Sequence, residues 1–233
     1  MYPYFYGFDP TYMLIIIGAV LSLGASAVVN STFRKYSRVR SLSGMTGAQA
    51  AQRILNSAGI YDVSVQHISG NLTDHYDPGA KVLRLSDSVY GETSVAAIGV
   101  AAHECGHAIQ HQHSYVPLRL RTAIFPVASF GSKIAWPLIL LGIILSMSQT
   151  LIYAGIFLFS FAVLFQLVTL PVEFNASRRA VKILDESGIL YGDEVGITKK
   201  VLGAAALTYV AGAAAAILQL LRLLILFGGR NRD

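Results

Sequence analysis

The stretch TLIYAGIFLFSFAVLFQLVTL, Thr150 to Leu170, contains no charged residue. A run of roughly 20 apolar residues can cross a bilayer as a helix. In lipid a helix satisfies every backbone hydrogen bond within one segment, so this stretch limits what the rest of the chain can become. A second stretch, TYMLIIIGAVLSLGASAVV (Thr11 to Val29), passes the same test. A third runs from about Ile134 to Met147 and can extend back towards Thr122, with Lys133 inside it or at its border. The fourth, about Val201 to Phe227, is interrupted by Arg222, and its alanines and glycines suit packing against other helices. Only 13% of residues are charged, against roughly a quarter in soluble domains. Mean hydropathy is +0.53. The expected fold is mainly α, a polytopic membrane protein with three to four transmembrane helices.

FRKYSRVR, just after the first stretch, gathers Arg34, Lys35, Arg38 and Arg40, which places that end in the cytoplasm by the positive-inside rule. The preceding MYPYFYGFDP has no lysine or arginine and carries tyrosines suited to a membrane interface, so the first stretch reads as an uncleaved anchor. The +5 net charge thus reflects topology, and nucleic acid is not an expected partner. The lone Cys105 excludes an intramolecular disulfide framework.

These signals divide the chain into an anchor (1–30), a polar cytoplasmic segment (31–121), a transmembrane hairpin turning near Ser148 (122–172), a further helix (173–200) and an Ala-rich membrane-associated helix and tail (201–233). Whether that last helix spans fully stays open, because Arg230 and Arg232 would then end outside. Within the polar segment, Thr46 to Gly59 predicts a helix capped by Thr46. VSVQHI (63–68) and KVLRLS (81–86) alternate as strands. A long helix is expected from Thr93 or Ser94.

That helix contains AAHECGHAIQHQH. At about 100° per residue, His103 and His107 lie one turn apart on one face, so both imidazoles can reach a single ion. Glu104 is rotated about 100° from His103, within reach of a water on that ion. His-Glu-x-x-His is therefore a zinc-site pattern with two ligands and a base; the competing reading is a merely polar helix face. Cys105, about 200° round from His103, should face the core.

A third ligand must come from elsewhere. His113 follows at the spacing of H-E-x-x-H-x-x-G-x-x-H proteins, but Gln110 stands where those have the turning glycine. On a continuing helix His113 would sit about 15 Å along the axis from His103. His111, two turns beyond His103, is placed no better. The favoured partner is Glu173 in PVEFNASRRAVKILDESG, a carboxylate at the end of the third stretch. Its bland alternative is an interfacial carboxylate paired with Arg178 or Arg179. Asp74, His75 and Asp77, beside Pro78-Gly79, suit a capped turn better than a second metal cluster.

In DHYDPGAKVLRLS, SVAAIGVAAHECGHAIQHQ, LPVEFNASRRA and AALTYVAGA, nearly the whole chain resembles the YugP-like neutral zinc peptidases, a bacterial family of multi-pass membrane metallopeptidases. More distantly it is similar to HtpX-type and CAAX-prenyl-protease gluzincins, which pair a membrane-embedded H-E-x-x-H helix with a later E-x-x-x-D helix. The resemblance implies a small α+β gluzincin-like portion, Zn2+ as cofactor, His103, His107 and Glu173 as ligands, and Glu104 as base. Ser177 stands where the distant relatives have aspartate, so a hydroxyl replaces the carboxylate beside the ligands. Tyr209 and Arg178 are the expected donors to an oxyanion. Leu83 and Leu85, on KVLRLS read as an edge strand, are expected to line an extended substrate.

The resulting expectation is a zinc endopeptidase of the bacterial cell membrane, multi-pass, with its site on the cytoplasmic face. Its partners would be a polypeptide substrate, the lipid bilayer, and a second copy or another membrane protein. The competing classes are a zinc-binding scaffold without catalysis and a transporter component. A structural zinc has no use for Glu104, and a transporter would carry more charge at mid-membrane than Lys133 and Arg222.

Overall fold

The computed structural model describes residues 9–228. The tyrosine-rich start and Arg230 and Arg232 lie outside the described residues. Six helices and three strands follow in the order α1 (Tyr12–Tyr36), α2 (Gly47–Ser57), β1 (Ser64–His67), β2 (His75–Asp77), β3 (Val82–Leu85), α3 (Val95–Gln112), α4 (Val116–Ile144), α5 (Gln149–Glu186) and α6 (Asp193–Phe227). α1, α4, α5 and α6 are each long and apolar enough to cross a membrane. The chain is thus mainly α and polytopic, with a small α+β part. It forms two compact units, one of Met1–Gly24, Arg121–Val168 and Tyr209–Asp233, the other of Ala25–Leu120 and Thr169–Thr208.

The first unit is the apolar one. α4 includes Lys133 and begins well before Ile134, remaining one helix through Pro126 and Pro137. Proline removes one backbone donor, and burial of the surrounding helix at Ala128, Gly131 and Ala135 holds the segment in register. α4 and α5 meet through small residues: a Cβ on Gly131 would lie 2.8 Å from the Leu158 carbonyl oxygen, and one on Gly155 would lie 2.8 Å from that of Ala135. Without a hydrophobic driving force in lipid, such close backbone approach is what holds helices together. α1 and α6 run antiparallel. Gly18 abuts Ala215, and Arg222 near the end of α6 pairs with Asp9 before α1 (4.0 Å) while lying over the Tyr12 ring. The end of α6 therefore lies beside the start of α1.

The second unit is α+β. Thr46 caps α2 in a reciprocal capping box with Gln49, and Gly59 leaves the helix at φ +72°. Ala50, Ala51, Ile54 and Leu55 face a core shared with Ala97, Ala101, Ala108 and Leu184. Cys105 belongs to this core; burial pushes its thiol well up, which makes it inert. The sheet has the order β1-β3-β2, with β1 parallel and β2 antiparallel to β3. This corrects the expectation for KVLRLS. β3 is the central strand, and Leu83 and Leu85 are fully buried, so neither can line an added substrate strand. The reason is β2, a three-residue strand with no alternation to reveal it, which occupies the edge that β3 was expected to leave open.

Replacing Gly155 with leucine should destabilise the α4–α5 pair by about 1–3 kcal/mol, the usual cost of overpacking. Gly203→Ala, where a Cβ meets open space, should stabilise by up to about 1 kcal/mol. Denaturant unfolding in micelles distinguishes the two.

Candidate metal centre

α3 begins at Ser94, whose hydroxyl accepts the Ala97 N–H. Along it His103, Gly106, His107 and Gln110 recur at i, i+3, i+4 and i+7, which makes one stripe. That stripe faces the part of α5 carrying Val172, Glu173, Ala176 and Ser177. The approach is close because Gly106 has no side chain: a Cβ there would lie 2.6 Å from the Ala176 carbonyl oxygen.

Contact at Gly106 brings Glu173, only 3% exposed, against both imidazoles. Glu173 Oε2 lies 3.2 Å from His103 Nε2 and 3.4 Å from His107 Nε2. The rings stand 4.8 Å apart at 86°. One ligand atom from each of the three residues falls within 4.8 Å of the others. Donors on a tetrahedral zinc, with bonds of roughly 2.0–2.1 Å, are separated by about 3.4 Å. Two imidazole nitrogens and a carboxylate at these separations fit zinc, and one coordination position stays open for chemistry. Burial opposes a charge on His107, but the Glu173 hydrogen bond and the Glu104 and Glu173 charges outweigh it and raise its pKa above the ordinary value.

The other nitrogens of both rings also have partners. His103 Nδ1 lies 3.1 Å from Ser177 Oγ, and His107 Nδ1 lies 3.0 Å from Gln110 Oε1. Ser177 thus reaches His103 across the α3–α5 contact. Glu104, next to His103 and buried, points towards β2, where its Oε2 accepts the Tyr76 N–H at 3.0 Å. The Tyr76 hydroxyl contacts His111 Nδ1 at 2.9 Å.

α3 continues through Gln110, and His113 is its C-cap. Arg179 donates to Asn175 rather than to Glu173. Arg178 is exposed on α5. Tyr209 belongs to the apolar unit. Asp77 accepts the Gly79 and Ala80 N–H groups and so holds a turn, whereas Asp74 accepts the Ser86 N–H and hydroxyl from beyond β3. Burial raises the Asp74 pKa despite the Ser86 hydrogen bonds. Tyr76, Gln110 and Asn175 were not legible as site residues. Gln110 could have been found from its i+3 spacing to His107, and Asn175 from its place beside Glu173.

Over residues 11–228 the chain matches the family described as "Putative neutral zinc metallopeptidase". It is 52% identical over 221 residues to "Putative membrane protease YugP" of Bacillus subtilis (strain 168), an alignment covering 94% of this chain and 98% of that protein. No solved structure matches the chain.

Metal analysis of purified protein should find zinc lost from His103→Ala and Glu173→Ala but kept by His113→Ala. Gly106→Val should force α3 and α5 apart, costing about 1–3 kcal/mol of stability and lowering zinc content with it.

Proposed function

This chain belongs to that zinc metallopeptidase family, and we propose that it is a membrane-embedded zinc endopeptidase of the gluzincin type, cutting membrane or membrane-proximal polypeptides. The observation that carries the reading is a buried carboxylate, Glu104, one residue along α3 from a His-His-Glu cluster of zinc-binding geometry. A zinc held for structure alone would leave the second oxygen of Glu104 without a task beside the ion.

His103, His107 and Glu173 would hold the ion. Bound there, zinc supplies a Lewis acid that polarises the scissile carbonyl and makes water a better nucleophile at neutral pH. The Tyr76 N–H fixes one oxygen of Glu104 and leaves the other to work. Glu104 takes a proton from the attacking water as the water oxygen bonds to the carbonyl carbon. It then delivers that proton to the departing nitrogen as the C–N bond breaks. Tyr209 and Arg178 remain proposed donors to the developing oxyanion. The sheet edge nearest Glu104 is that of β2, and an extended substrate would add its backbone there, in place of the site first expected at Leu83 and Leu85. The basic run at and beyond the end of α1 supports a site on the cytoplasmic face of a bacterial cell membrane.

Glu104→Gln should retain zinc yet lower cleavage of an unfolded test protein by about 100-fold or more. Cleavage at the unaltered rate by the metal-loaded variant would sink this mechanism.

A further inference from the structure

The two histidines of the cluster have unlike neighbours on their outer nitrogens. A metal takes the lone pair of one imidazole nitrogen, so the other nitrogen must carry the proton. At His103 that nitrogen meets the Ser177 hydroxyl, which donates or accepts with equal ease and so dictates nothing. At His107 it meets the side-chain amide of Gln110, which is 0% exposed.

An amide has one accepting end and one donating end, and its surroundings decide which faces the ring. The far end of Gln110 lies 2.8 Å from the Val172 carbonyl oxygen and 3.0 Å from Asn175 Oδ1. Both are acceptors. The Asn175 amide is itself fixed, because its oxygen takes the Nε–H of Arg179 at 2.8 Å, and a guanidinium only donates. The NH2 of Gln110 must therefore point at α5, and its carbonyl oxygen must point at His107. Only a proton on Nδ1 satisfies that oxygen.

We propose that Gln110 is the positioning residue for His107. Its amide, given its sense by Val172, Asn175 and Arg179, holds the His107 proton on Nδ1 and so leaves Nε2 free to ligate. The inference rests on the zinc reading above and adds a cause for the ligand's tautomer. It also couples two ligands, because Val172 and Asn175 flank Glu173 on the same helix. The segment that brings the third ligand thereby sets the proton of the second.

The test measures two quantities on the full chain in micelles: zinc affinity, by competition with a chromophoric chelator, and the thermal midpoint of the zinc-free protein. Gln110→Met preserves shape but offers His107 no acceptor, so affinity should fall about 10–100-fold with little change in midpoint. Gln110→Glu restores an acceptor but sets a carboxylate oxygen against Val172 and Asn175. Its midpoint should fall while affinity returns to within about threefold of the parent. If Gln110 merely packs, affinity will follow the midpoint through both variants. That pattern, or parental affinity in Gln110→Met, overturns the assignment and leaves the zinc reading standing. A parent protein that takes up no zinc defeats both.

Discussion

The site depends on one close approach, the backbone of α5 at Ala176 lying against Gly106 of α3. His103 and His107 are fixed relative to each other by helical repeat alone. Neither can fix Glu173, which belongs to a distant part of the chain. The contact at Gly106 sets how closely α5 can approach, and any side chain there would occupy space already taken by α5. Glycine within a helix costs about 1 kcal/mol relative to alanine. Here the cost is offset by the carboxylate that the contact delivers.

Around that contact the polar groups are paired with one another. Glu173 faces two imidazoles, each imidazole has a partner on its outer nitrogen, and Glu104 is tied to the backbone of β2. A buried polar group without partners is expensive, so such a set is stable only when complete. The apolar unit also places its charge beside an opposite one. Arg222, the one arginine inside the fourth apolar stretch, is placed against Asp9 and over Tyr12 at the start of α1.

Much of this was legible beforehand, for reasons that differ by residue. The apolar stretches declared themselves by length, and His103, Glu104 and His107 by a spacing that helical geometry makes meaningful. Thr46 and Ser94 sat where helix starts need a hydroxyl, and both became caps. What the sequence hid was short or relational. β2 has three residues and no alternation, so the sheet's edge was assigned to the wrong strand. Gln110 was visible only as the absence of a glycine, because the amide's partners lie on another helix. The antiparallel course of α6 against α1 needed the Asp9–Arg222 pair, which no local pattern announces.

The order of the three clustered residues along the chain has a consequence for biosynthesis. His103 and His107 emerge from the ribosome early, whereas Glu173 follows only after α4 and the apolar part of α5 have been made. During that interval α3 offers two imidazoles and no carboxylate partner, a weak bidentate grip on metal. The cluster is therefore incomplete until α5 has been made. A three-residue cluster built this way exists only once α5 has been made and has docked against Gly106.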